Sequence, residues 1–185
     1  KKDGSYMDRF FGRVMFPIHS LSGREIGFGG RLLKSNAKAA KYLNSPESLV
    51  YQKSRVLYGL FQAKKSIVRN DKCFLVEGYT DVISLSQHGI ENVVSSSGTA
   101  LTLEQIRLIK RLTKNVTLIF DGDAAGLKAS FRGIDLLLEE EMSVRIVPLK
   151  EGQDPDSLAK EYKESAIDYF NEKEQDFIQF KLDSL

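Results

Sequence analysis

From Cys73 to Leu149 the chain repeats one pattern: a short, mostly apolar run, a turn carrying glycine or polar residues, and a stretch of helix length. The runs Cys73–Val76, Asn92–Ser96, Asn115–Phe120 and Val144–Leu149 are short and rich in Val, Ile, Leu and Phe, as strands buried on both faces are. Between them lie the helical stretches Asp81–Gln87, Thr102–Leu112 and Ala124–Glu141, and Thr102 with Gln105 forms a capping box. Strand–helix alternation confines the chain to βαβ units, an α/β fold with a mainly parallel sheet covered by helices on both faces. A last helical segment runs from about Pro155 to the end, broken near Ser165 or Asn171.

Ahead of this pattern the sequence behaves differently. Phe10–Ile18 and Glu25–Leu33 read as two strands joined by the turn Ser20-Leu21-Ser22-Gly23, and Ser54–Lys65 has the spacing of an amphipathic helix. Phe10, Phe11, Phe16 and Phe28 alternate with apolar neighbours and are expected in the core rather than as base-stacking platforms. Charge divides along the chain as well. Residues 1–70 hold 14 Lys and Arg against 4 Asp and Glu, and residues 71–185 hold 13 against 21. The expected organisation is a smaller basic α+β lobe over 1–70, the parallel sheet over 71–150, and an acidic turn with C-terminal helices over 151–185. A basic lobe beside an acidic one suggests a polyanionic partner. No apolar run is long enough to cross a membrane, and Lys1-Lys2-Asp3-Gly4 does not read as a signal peptide. One cysteine, Cys73, and two histidines, His19 and His88, leave only oxygen ligands for any metal.

The chemistry is concentrated just past the strands. Ligands of open parallel sheets bind beyond the carboxyl ends of the strands. Cys73–Val76 runs into Glu77-Gly78-Tyr79-Thr80-Asp81, Asn115–Phe120 into Asp121-Gly122-Asp123, and Val144–Leu149 leads to Glu151-Gly152-Gln153-Asp154-Pro155-Asp156. Carboxylates delivered to one sheet edge would repel one another without a counter-charge, which divalent cations bridging to phosphate supply. Taken singly, Asp81, Asp123 and Asp156 read as helix caps. Taken together, the three strand ends favour metal, with Glu77, Asp81, Asp121, Asp123, Asp154 and Asp156 as the ligand set.

The run Glu77-Gly78-Tyr79-Thr80-Asp81 with Asp121-Gly122-Asp123-Ala124-Ala125-Gly126 resembles the TOPRIM domain of primases, topoisomerases and some nucleases. Phe28-Gly29-Gly30-Arg31, Lys41-Tyr42-Leu43-Asn44-Ser45-Pro46-Glu47, Leu57-Tyr58-Gly59-Leu60 and Asp154-Pro155-Asp156 resemble, more narrowly, the RNA polymerase core of bacterial DnaG-type primases. That resemblance implies templated synthesis of short RNA primers by two-metal nucleotidyl transfer, with Glu77, Asp121 and Asp123 catalytic and Mg²⁺, or Mn²⁺ in its place, as cofactor. It implies that Arg13, Arg31, Lys41, Asn44 and Lys53 hold nucleotide and template; Lys34, Lys38, Lys64 and Lys65 read simply as solvated surface charges. Implied partners are a single-stranded DNA template, NTPs, the RNA primer and, through a domain absent from this stretch, the replicative helicase. The implied location is the cytoplasm, at the nucleoid or replisome; neither zinc nor membrane contact is expected. Two other readings are weaker. A TOPRIM nuclease or topoisomerase fragment lacks a tyrosine in a recognisable context. A receiver-like signalling module would need its acidic pair after its first strand and a lysine after its last.

Overall fold

In the computed structural model, which describes residues 6, 8–34, 39–98 and 100–183, the chain divides between Gln52 and Lys53. Lys1–Gly4 and Lys38 lie outside the described residues.

The first unit is a three-stranded antiparallel sheet in the order β1 (Arg13–His19), β2 (Glu25–Leu32), β3 (Tyr42–Asn44). Phe16 pairs with Gly29 and Ile18 with Gly27, so these four share one face. Phe16 and Ile18 are buried there, and Tyr51 lies against Gly27 so closely that a Cβ would stand 3.1 Å from its ring. Phe28 is one residue out of phase with Gly27 and Gly29, which turns it to the opposite face, where it is 40% exposed. Phe11 lies in the turn before β1 and is 81% exposed, and Phe10 is half-buried. Of the four phenylalanines expected inside, only Phe16 is buried. Strand β3 was not foreseen: three residues are too few to show a period.

In the second unit a 3-10 turn, Lys53–Arg55, precedes helix α1 (Leu60–Asn70). The expected helix over Ser54–Lys65 is thus displaced toward the C-terminus. Leu57 is buried without being helical, which is why its spacing misleads. Helix α1 packs Leu60, Ala63 and Ile67 into the core of this unit, so the packing division precedes the change in charge near residue 70. Then come β4 (Cys73–Val76), α2 (Tyr79–Gln87), β5 (Val93–Ser95), α3 (Leu103–Lys110), β6 (Asn115–Leu118), α4 (Ala124–Glu139), β7 (Ser143–Ile146), α5 (Pro155–Tyr162), α6 (Ala166–Lys173), β8 (Gln175–Asp176) and α7 (Phe177–Asp183). The sheet order is β5-β4-β6-β7-β8, parallel except for β8.

Alternation along β4 sorts the core into two layers. Cys73 and Leu75 face α1, α3, α4 and α7, while Phe74 and Val76 face α2, α5 and α6. All four are fully buried, as a strand between two helical layers must be. No described helix is long and apolar enough to cross a membrane.

The edge strand β8 is pinned electrostatically. Glu174 accepts from Lys72 Nζ at 2.6 Å and Thr117 Oγ1 at 3.1 Å and forms an ion pair with Arg145 Nε at 3.2 Å, with its side chain 14% exposed. Substituting Glu174→Ala leaves two cations without their shared partner, and thermal or urea unfolding should show a loss of about 1–3 kcal/mol.

Candidate functional site

Strands β4, β6 and β7 are adjacent and parallel, so the turns leaving their carboxyl ends are neighbours. Glu77 leaves β4, Asp121 and Asp123 follow β6, and residues 150–156 follow β7. Hydrogen bonds join the turns. The Asp121 N–H donates to Glu77 Oε1 at 3.2 Å, and the Gly122 N–H to the Gln153 carbonyl at 3.0 Å. From the β5 side, the Gly98 N–H donates to the Glu77 carbonyl at 3.3 Å.

Glycine is required at two of these positions by proximity. A Cβ on Gly122 would run into the Lys150 carbonyl, and one on Gly126 into the Asp121 carbonyl. Without side chains there, the third acidic turn closes onto the second, and α4 starts directly beneath Asp121.

The carboxylates differ in setting. Asp81 is buried in the first turn of α2, and its Oδ2 accepts from the Gly78 N–H at 2.9 Å. Burial pushes its pKa up to about 7; the charges of Asp121, Asp154 and Asp156 add to the rise and the Gly78 N–H opposes it. Burial also raises Glu77, with Asp121 and Asp123 contributing repulsion and the Asp121 N–H opposing. Asp123 caps α4 by accepting from the Gly126 N–H at 2.7 Å, and Asp154 caps α5 by accepting from the Ser157 N–H at 2.6 Å. Asp156 is in the first turn of α5, paired with Lys160 at 2.6 Å. Capping therefore accounts for Asp123 and Asp154, and for Asp81 through its bond from the Gly78 N–H at the start of α2, but not for Glu77 or Asp121.

Among the described residues no three His, Cys, Asp or Glu side chains are gathered into a ready-made metal cage. The donors are nonetheless all hard oxygens, and repulsion from Asp121 adds to burial in raising both Glu77 and Asp81. Such a set fits a small hard dication held by one or two carboxylates, with water and phosphate oxygens completing its shell.

Asp81 makes stability depend on pH. Its folded-state pKa lies above the unfolded one, so the folded chain retains the proton longer. Stability contributed by this group is present below about pH 4, declines as pH rises toward 7 and is lost above it. Asp81→Asn should leave stability unchanged at pH 4 and raise it by on the order of 2–3 kcal/mol above pH 7 in metal-free buffer, read by thermal unfolding across pH.

The expected basic residues are distributed over both units. Arg31 is exposed on β2, between Val14 and Tyr42, and exposed Lys41 immediately precedes β3. Arg13 is engaged within its own unit: its guanidinium donates to the Gly30, Lys41 and Ala40 carbonyls at 3.1, 3.2 and 2.8 Å, and so positions the segment bearing Lys41. Asn44 is half-buried opposite Gly29. Lys53 lies in the second unit, where its carbonyl accepts from Gln105 Nε2 at 3.0 Å. Sequence reasoning passed over Arg132, an exposed residue on α4 that lines a cavity with Glu77. Its one signal is helical spacing shared with Ala129, Gly133 and Leu136, which acquires meaning only once β5 is known to flank β4.

Residues 1–64 match the family described as DNA primase catalytic core, N-terminal domain, and residues 74–159 the Toprim-like family. The DNA primase of Staphylococcus epidermidis is 41% identical over 179 residues, 96% of this chain and 30% of that protein. The chain belongs to the DnaG-type DNA primase catalytic-core family. It spans 30% of the length of that curated primase. Two solved primase structures share the fold. The zinc-binding and RNA polymerase domains of Aquifex aeolicus primase superpose with TM-score 0.87 at 43% identity, over 93% of this chain and 42% of that one. A DnaG primase catalytic domain bound to ssDNA superposes with TM-score 0.88 at 39% identity, over 100% of this chain and 60% of that one.

Proposed function

We propose that this chain is the catalytic heart of a DNA-directed RNA polymerase that synthesises short primers for replication. The observation that carries the reading is the meeting of Glu77, Asp121 and the 150–156 turn at one sheet edge in a member of the primase core family. Glu77 and Asp121, joined through the Asp121 N–H, present hard oxygens to Mg²⁺, with Mn²⁺ as a substitute; Asp123, Asp154 and Asp156 add negative charge around them, and buried Asp81 supports the Gly78 turn. The bound cation supplies charge neutralisation for the triphosphate and polarisation of the attacking hydroxyl. Arg31 and Lys41 suit a phosphate partner, Arg as a planar fork and Lys as a point charge, with Asn44 and Lys53 as further nucleotide or template contacts. Base choice comes from pairing with a single-stranded DNA template. In the longer protein, a domain beyond this stretch engages the replicative helicase, at the nucleoid in the cytoplasm.

The test is template-directed synthesis by the relatives' full-length counterpart of this chain, given single-stranded DNA, labelled NTPs and Mg²⁺ or Mn²⁺. RNA oligomers that require template and metal are expected. DNA cleavage without nucleotide incorporation would overturn the reading in favour of a nuclease.

A further inference from the structure

A cavity of about 280 Å³ opens beside Glu77, walled by the loop after β5 and one flank of α4. Its lining is largely apolar, from Leu101, Phe120, Leu136 and Ala129, and carries one carboxylate, Glu77, and one guanidinium, Arg132. Among the described residues Arg132 is the only cationic side chain lining it, is exposed, and makes no ion pair. Gly133 lies on the α4 wall without crowding, a Cβ there coming no closer than 3.5 Å to Leu118.

Resting on the primase reading, we infer that this cavity binds the initiating nucleotide, with its 5′-phosphates on Arg132, its base against the apolar walls and its 3′-hydroxyl toward Glu77. A polymerase that starts without a primer must hold two nucleotides, and only one can be the incoming NTP whose triphosphate faces the carboxylate edge. The other needs the opposite polarity: its hydroxyl end is a neutral donor suited to a carboxylate, and its phosphate end is an anion suited to a guanidinium. The cavity beside Glu77 offers both partners, a carboxylate and a guanidinium, and is near the size of small-ligand sites. In the first turnover the initiator's 3′-oxygen bonds to the α-phosphorus of the incoming NTP. The α–β bond breaks, pyrophosphate leaves with its electron pair, and the hydroxyl proton passes to solvent water. Arg132 acts as a positioning residue, since it touches no reacting atom.

Two readouts test this. In the first, ATP and adenosine are titrated into the chain in EDTA, where the carboxylate edge repels a triphosphate, and amide shifts of Gly98 and Gly133 are followed by NMR. ATP should bind about 10- to 100-fold more tightly than adenosine, Arg132→Gln should remove the difference, and Arg132→Lys should restore part of it. In the second, dinucleotide synthesis by the full-length protein is compared with a nucleoside triphosphate or an unphosphorylated nucleoside as initiator. Arg132→Gln should raise KM for the phosphorylated initiator by about 10- to 100-fold, leaving KM for the incoming NTP and the thermal midpoint unchanged. Equal effects on both nucleotides, or an undiminished preference for the phosphorylated initiator in Arg132→Gln, would overturn the inference. Absence of any RNA product from the unaltered protein would defeat the primase reading instead, leaving the binding measurement to decide the cavity.

Discussion

Glu77→Gln and Asp121→Asn should each lower primer synthesis by at least about 10²–10³-fold without unfolding the chain, as measured by labelled NTP incorporation on a single-stranded template. Both substitutions keep shape and remove charge. With Glu77→Gln, the new amide oxygen can still accept the Asp121 N–H that now reaches Glu77 Oε1 at 3.2 Å, so the link between the β4 and β6 turns survives. What is lost is a hard anionic ligand at the place where phosphate charge must be neutralised. Because burial and neighbouring carboxylates already strain the ionised form of Glu77, Glu77→Gln should unfold at an equal or higher temperature than the parent. Lost activity with retained or improved stability separates a functional carboxylate from a structural one. Asp123→Asn should be milder in folding terms too, since an Asn side chain can cap α4 nearly as well.

Gly126→Ala should have the opposite signature and cost about 3 kcal/mol or more of folding free energy, read by denaturant unfolding. The methyl group would collide with the Asp121 carbonyl, which is main chain and cannot rotate away. Helix α4 would have to lift off the end of β6, opening the Ile134 and Leu137 contacts to the inner layer. Gly122→Ala would meet the Lys150 carbonyl and force the third acidic turn away from the second, breaking the bond from Gly122 N–H to the Gln153 carbonyl. Each substitution should therefore reduce activity through lost structure. Alanine at Gly89, just after α2, where a Cβ has no neighbour within 4 Å, meets no such collision and serves as the control, although its φ of +86° adds modest strain.

How much of this was legible depended on which interaction shaped each segment. The parallel sheet and its three acidic strand ends were readable, because double-sided burial forces near-continuous apolar runs such as Cys73–Val76, and a turn must come after each run. The Thr102–Gln105 capping box was readable for the same local reason and forms as expected, with the Gln105 N–H donating to Thr102 Oγ1 at 3.2 Å. Where neighbours decide, the sequence was mute. Leu57 is buried by a non-helical segment whose Tyr58 pairs with Ser95 at the sheet edge, so its helical spacing was fortuitous. Edge strand β8 contains only Gln175 and Asp176, with no period to detect, and is held through Glu174 by Lys72, more than a hundred residues earlier in the chain. Phe28 was misassigned because glycines at 27 and 29 conceal which face of β2 is buried. Within the site, Asp81 was identified as a carboxylate of the edge, but its burial depends on tertiary packing. Arg13 shows the same limit: nothing local distinguishes a guanidinium aimed at phosphate from one committed to three backbone carbonyls.

The most direct test of the metal-dependent edge is anomalous diffraction from crystals of this chain soaked with Mn²⁺ and a non-hydrolysable NTP analogue. Manganese peaks within ligand distance of Glu77 and Asp121, with triphosphate oxygens completing the shell, are the expected result. Manganese bound only elsewhere, with those two carboxylates unligated while the triphosphate is ordered, would contradict the account.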